Sequence, residues 1–186
     1  MVIVLNKKRV LRFFIAAVAV FLTFFFLANP VMKAVFPLRH EDAIDKYSAQ
    51  YSLDKYLVMG IISAESRFEE DAVSHKDAKG LMQLKEETAK WCVEKFDINT
   101  SYEKIYEPEV NIMIGCSYLS YLIKLFDGNI ETAVAAYNAG QGNVSQWLKN
   151  SEYSDDGQTL KKIPFPETDT YVNKVMKRQD IYRKLY

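Results

Sequence analysis

At 186 residues, 49% of them hydrophobic, the chain has enough material for one domain with a proper core and too little for two. The formal net charge of zero conceals an asymmetry. Residues 1–35 hold Lys7, Lys8, Arg9, Arg12 and Lys33 and no acidic group, which leaves 19 basic against 24 acidic side chains beyond them, a net of −5. A mildly acidic body without a basic stripe argues against nucleic acid as a partner. The two cysteines lack the His or Asp company of a metal centre or a thiol nucleophile, so neither metal nor cofactor is expected.

In chain order, the first feature is Val10 to Ala28, apolar apart from Arg12 and Thr23. This stretch approaches the roughly 20 residues a membrane helix needs. Lys7, Lys8, Arg9 and Arg12 precede it, which predicts a cytoplasmic N-terminus over residues 1–9. The alternative is a cleavable signal peptide, but the stretch exceeds the usual apolar region of about 7–15 residues and no clear Ala-x-Ala site follows. An uncleaved signal anchor over 10–28 is therefore the expectation, with the following domain outside the cytoplasm under either reading. Asn29-Pro30 and Phe36-Pro37 read as helix breaks, making 29–40 a tether to a domain over 41–186.

From residue 40 the pattern is helical almost throughout. Ala43, Ile44, Tyr47 and Tyr51 recur at helical spacing, and Leu53 to Ser66 forms a second apolar stretch. Residues 67–79 turn polar and read as a loop, after which helix resumes near Leu84 and runs towards Phe96. Pro108 suits the first position of a helix that Asp127-Gly128-Asn129 ends. That helix is apolar nearly all round, from Ile112 through Cys116 and Leu119 to Phe126, and so belongs at the centre of the core. Its Gly115 is expected to admit a close neighbouring helix. A further helix runs from Ile130 to Asn138, residues 151–166 form a long polar loop, and an amphipathic helix starts near Glu167. There is no repeat and no convincing strand pair, so the fold class is a single all-α domain. Cys92 and Cys116 lie inside helical patterns, as a disulfide of an exported protein or as buried thiols.

The chemistry centres on Glu65, which ends the apolar run from Leu57 to Phe68. A carboxyl against a partly apolar wall loses hydration, which disfavours its charged form and raises its pKa into the range a general acid needs. The bland alternative is a solvated helix-end carboxylate like Glu69 or Glu70.

Glu65-Ser66, Gly80-Leu81-Met82-Gln83 and Ala136-Tyr137-Asn138-Ala139-Gly140 resemble the three signature motifs of the soluble-lytic-transglycosylase family of peptidoglycan-cleaving enzymes. Phe165-Pro166-Glu167-Thr168 with Tyr171-Val172 resembles a fourth element, and Asn111-Ile112, Gly115 and Tyr118-Leu119 fit the family's central helix. The likeness covers residues 50–175 and implies a lysozyme-like, mainly α-helical domain, here preceded by an N-terminal transmembrane helix. It further implies cleavage of the β-1,4 bond between N-acetylmuramic acid and N-acetylglucosamine in wall glycan, with a 1,6-anhydro product. One Glu acts as acid and then base, and Glu65 is the match.

Other roles follow from the same resemblance. Ser66 orients the acid. Gly80 lets the chain pass close to a bound sugar, Met82 offers an adaptable apolar surface and Gln83 a donor and an acceptor, while Leu81 is core. Ala136, Tyr137 and Asn138 line the cleft, with Asn138 either bonding substrate or capping the turn before Gly140. Glu167 and Tyr171, one helical turn apart, close the far wall. The chain departs from the family pattern at Glu69-Glu70, Asp77 and Lys85-Glu86, which concerns the loop beside the acid rather than the acid itself. Two rival readings stand. A lysozyme-like hydrolase would need a second carboxylate, with Asp71 or Asp77 to supply it; a non-catalytic glycan-binding or scaffold module in an envelope machine would need none.

Overall fold

The structure, a computed structural model, describes residues 7–186, apart from the side chains of Lys7, Phe21 and residues 24–29. The chain divides at Leu38, and each unit has its own logic. The first is one helix, α1 (Lys7–Val35), of 29 residues. Pro30 lies inside it, contrary to the expected break at Asn29-Pro30. A proline forfeits one i→i−4 bond and strains the preceding turn, and here turns on both sides carry the helix through. The helix yields only at Phe36-Pro37, where the Phe36 N–H still reaches the Met32 carbonyl at 2.8 Å. Among the described residues no helix is long and apolar enough to cross a membrane. The expected anchor over 10–28 includes residues 21 and 24–28, whose side chains lie outside the described residues.

The second unit begins at Arg39. Its helices are α2 (Glu41–Gln50), α3 (Lys55–Glu65), α4 (Glu86–Lys95), α5 (Pro108–Leu125), α6 (Ile130–Ala139), α7 (Gln141–Leu148) and α8 (Pro166–Leu185). Local chemistry sets several of the starts. The Asp54 carboxylate accepts the Tyr56 N–H at 2.9 Å at the head of α3, and the Asn129 amide oxygen accepts the Thr132 N–H at 3.0 Å at the head of α6. Pro108 opens α5, where its missing N–H costs nothing. Extended backbone among the described residues is limited to isolated antiparallel bridges, Val73 with Lys79 and Lys79 with Leu84, inside the loop between α3 and α4.

Helix α5 packs against α2, α4 and α6. Ile112, Ile114, Cys116, Leu119 and Leu122 are fully buried along it, and burying each large apolar side chain stabilises by about 1.5–3 kcal/mol. Cys92 and Cys116 are free thiols in this core. Burial pushes the Cys92 thiol up to about 12 and Cys116 further still, so neither presents a thiolate. Gly115 was expected to admit a close neighbouring helix; instead the atoms nearest to it belong to Met82, in a loop. A Cβ there would stand 2.3 Å from the Met82 sulfur and 2.9 Å from the Met82 Cβ, so the glycine is the socket for a loop methionine.

Helix α3 is buried from Leu57 to Ala64, and α8 lies directly on it. A Cβ on Gly60 would come within 3.0 Å of the Val175 carbonyl oxygen and 3.1 Å of the Gln179 nitrogen. Close approach of the two backbones requires glycine at that crossing. At the N-terminal end of α3, Gln179 Nε2 donates to the Asp54 carboxylate at 2.7 Å and Arg183 pairs with the same group.

Candidate active site

Glu65 is the last residue of α3, and the turn beyond it is tightly specified. The Ser66 hydroxyl donates to the Ile62 carbonyl at 3.2 Å and accepts the Phe68 N–H at 3.1 Å. Arg67 and Phe68 then take left-handed φ values of 55° and 66°, each costing about 1–2 kcal/mol for a residue with a Cβ. Burial of the Phe68 ring, 1% exposed, offsets part of that cost. The chain thus reverses sharply and leaves the Glu65 carboxyl half-buried on a cleft wall.

Three side chains of α8 meet this end of α3. The Tyr171 hydroxyl donates to Glu65 Oε1 at 2.7 Å. Lys174 Nζ donates to the Ala64 carbonyl at 2.6 Å. Arg178 donates to the Ser63 carbonyl, and at 2.9 Å to the Ser63 hydroxyl. Loss of hydration pushes Glu65 up to about 7, against the pull of the Tyr171 hydroxyl and the Lys174 charge. At neutral pH the carboxyl is therefore shared between acid and base forms.

The Gly80-Leu81-Met82-Gln83 segment is a tight loop closed by reciprocal bonds of Lys79 and Leu84, both 3.0 Å. Asn111 of α5 holds it from beneath. Its amide oxygen accepts the Met82 N–H at 2.8 Å, and its nitrogen donates to the carbonyls of Ile105 at 2.8 Å and Lys79 at 3.1 Å. Gly80 has φ 75°, and a Cβ there would sit 2.2 Å from the Asn111 nitrogen. Gln83 Nε2 donates at 2.9 Å to both Ala72 and Gly80 carbonyls, tying the loop after the acid to this segment.

At the C-terminal end of α6 the Tyr137 hydroxyl donates to the Met82 carbonyl at 2.9 Å. Its ring packs 5.4 Å from that of Tyr118. The Asn138 oxygen accepts from the buried Thr168 hydroxyl at 2.7 Å, linking α6 to the start of α8.

These elements enclose an open cleft of about 580 Å³. Five of the sequence-derived residues line it: Glu65, Gln83, Tyr137, Asn138 and Glu167. Tyr171 stands behind the wall, 8% exposed, bonded to the acid. Ser66, Gly80, Met82 and Ala136 do not line the cleft. Ser66 stitches the turn and leaves Glu65 untouched; Gly80 makes room for Asn111, not for a sugar; Met82 and Ala136 are fully buried. Glu167 pairs with Lys76 at 3.5 Å, both exposed on the cleft rim. Asn111, Lys174 and Arg178 escaped the sequence reading as site residues. The signal for the last two was their spacing from Tyr171, which places all three on one face of α8.

An all-helical, lysozyme-like domain carrying one desolvated carboxyl at a helix end in an open cleft is the class of protein these features define. The chain belongs to the transglycosylase SLT domain family, whose model matches residues 42–159. It is 37% identical over 151 residues to the soluble lytic murein transglycosylase of Escherichia coli K12, covering 80% of this chain and 23% of that protein. With the membrane-bound lytic murein transglycosylase C of Pectobacterium atrosepticum it shares 32% identity over 163 residues, covering 76% of this chain and 46% of the relative. Among solved structures, an inactive Glu-to-Gln mutant of the lytic transglycosylase Slt from Pseudomonas aeruginosa superposes with a TM-score of 0.74 at 36% identity. That match covers 82% of this chain and 25% of the other. The chain thus spans less than half the length of either curated relative.

Proposed function

We propose that this chain is a membrane-anchored lytic transglycosylase of peptidoglycan, with Glu65 as its single acid and base. The observation that carries the reading is the Glu65 carboxyl, poised near pH 7 by burial and steadied by Tyr171, on the wall of an open cleft of about 580 Å³. Protonated Glu65 gives its proton to the oxygen joining the muramyl and glucosamine rings as the C1–O bond breaks. The muramyl N-acetyl carbonyl supports the positive charge at C1. The C6 hydroxyl then attacks C1 while the Glu65 carboxylate takes its proton, which closes a 1,6-anhydro ring and restores the acid.

A water-delivering hydrolase calls for a second carboxylate placed for water. Asp71 and Asp77, the candidate carboxylates for that role, are exposed and stand outside the cleft wall. Gln83, Tyr137, Asn138 and Glu167 are the substrate contacts of the proposal, and Tyr171 orients the acid.

In the same proposal α1 is an uncleaved signal anchor with its N-terminus in the cytoplasm. Its 29 residues reach about 43 Å at 1.5 Å per residue, and Lys8, Arg9 and Arg12 gather at its start. Residues 41–186 then form the catalytic domain beyond the membrane.

Mass spectrometry of fragments released from purified peptidoglycan by the detergent-solubilised full chain tests the reading, with Glu65→Gln as control. Anhydro-ended fragments present for the wild type and absent for the variant support it. Ordinary reducing ends would make the chain a hydrolase, and wall binding without release would make it a binding module. Alkaline carbonate extraction tests the anchor, which predicts retention in the membrane pellet.

A further inference from the structure

Behind Glu65 lies a group of positive charges that the proposed chemistry has not used. Lys174 and Arg178 sit on the last carbonyls of α3, and both are part-buried. Burial pushes both below their ordinary pKa values, and each also feels repulsion from Arg67, in the turn after the acid. Lys174 and Arg178 repel each other as well. Among the described residues, the carboxylate acting on Lys174 is Glu65. Mutually repelling, partly desolvated cations are a poor structural device, because loss of hydration and like-charge repulsion both count against the fold. Capping the carbonyls of a helix end returns only about 0.3–1 kcal/mol.

The surroundings of Glu65 show what the charges oppose. Tyr137 from α6 and Tyr171 from α8 are buried phenols raised well above 10, so both stay neutral. From the cleft wall face His75, Lys76 and Lys85, with Glu87 and Glu167. Lys76 is exposed and paired with Glu167, so its field at Glu65 is screened by solvent and by its partner. Among the described residues, Lys174 is the cation that acts on Glu65 against its burial.

We propose that Lys174, supported by Arg178, is a positioning residue for Glu65. Pinned on the Ala64 carbonyl, its ammonium supplies the fixed positive field that lets a buried carboxyl release its proton and hold negative charge until the C6 proton arrives. The electron pair of the broken C1–O bond stays on the departing oxygen, which takes the Glu65 proton, so the step leaves one carboxylate to be stabilised. Lys174 stabilises it without touching substrate. The inference rests on Glu65 as the acid.

The test compares full-length wild type, Lys174→Gln and Lys174→Arg. Gln keeps a donor for the Ala64 carbonyl and removes the charge; Arg keeps both. The Glu65 carboxyl carbon is titrated by 13C NMR, assigned by its loss in Glu65→Gln, and kcat and KM are followed against pH. Lys174→Gln should raise the titration midpoint and the alkaline limb of activity together, by about half a unit to one unit, a three- to tenfold change in proton affinity. It should also lower the plateau kcat and leave KM unchanged. Lys174→Arg should restore both. A midpoint unmoved in Lys174→Gln, or moved equally in Lys174→Arg, overturns the proposal. Should Lys174→Gln fail to fold, Lys174→Met fills the same stem volume and is read in the same way. If the wild type released no anhydro fragments, the proposed function would fall while the NMR midpoint still decided this inference.

Discussion

Replacing Glu65 by Gln should stabilise the protein, and more so as pH rises. Burial raises the folded-state pKa of Glu65 from the ordinary 4.5 to about 7. Between those values the folded chain holds a proton that the unfolded chain has released, so wild-type stability falls as pH rises through that window. With a folded pKa near 7, the loss amounts to about 0.8 kcal/mol at pH 5 and about 3.3 kcal/mol at pH 8. Gln has nearly the same shape, accepts the Tyr171 hydroxyl through its oxygen and never ionises. The stability advantage of Glu65→Gln over wild type should therefore grow by about 2.5 kcal/mol from pH 5 to pH 8. In thermal unfolding this corresponds to roughly 5–10 °C. The assay is denaturant or thermal unfolding of both proteins in one detergent at the two pH values, in which every other titrating group cancels. An advantage equal at pH 5 and pH 8 would refute the argument that burial governs this carboxyl.

Tyr171→Phe removes the 2.7 Å bond to the carboxylate. Such bonds are worth about 1.5–3 kcal/mol, so the alkaline limb of kcat/KM should rise by about one to two units, read from a pH–rate profile on peptidoglycan. Asn111→Ala strands the Met82 N–H and the Ile105 carbonyl; at about 1–3 kcal/mol for each unsatisfied group, equilibrium unfolding should show a loss of several kcal/mol. In Gly115→Ala the new methyl would meet the Met82 sulfur at 2.3 Å. Overpacking of that kind costs about 1–3 kcal/mol, and turnover should fall further than stability because the Met82 carbonyl that receives Tyr137 is displaced.

Helix α5 was legible because Pro108 marks its start and its apolar residues wrap the whole circumference. The place of Glu65 at a helix end was legible because the apolar run from Leu57 stops there. Helix α7 was not, since Gln141-Gly142-Asn143 reads as turn and only Val144 and Trp147, one turn apart, betray a buried face. Met82 and Gly80 were misread for a deeper reason. Their surroundings come from Gly115 and Asn111, brought up by the fold and not by nearby sequence, and a residue's partners at that separation leave no local trace. Pro30 shows the opposite error, a strong local breaker overridden by the length of the helix around it.

The stretch that the family model matches, residues 42–159, contains Glu65 and the second and third motifs and yet stops short of α8. Three bonds that fix α3 arrive from beyond it, spanning 106 residues at Tyr171, 110 at Lys174 and 125 at Gln179. Possession of the motifs and competence to act are therefore separable properties. A fragment ending before α8 would carry the first three motifs while its carboxyl stood at a helix end with no phenol to orient it and no ammonium behind it. Closing contacts of such long sequence separation costs loop entropy, so the geometry of the Glu65 carboxyl depends on the whole domain and not on the helix that bears it.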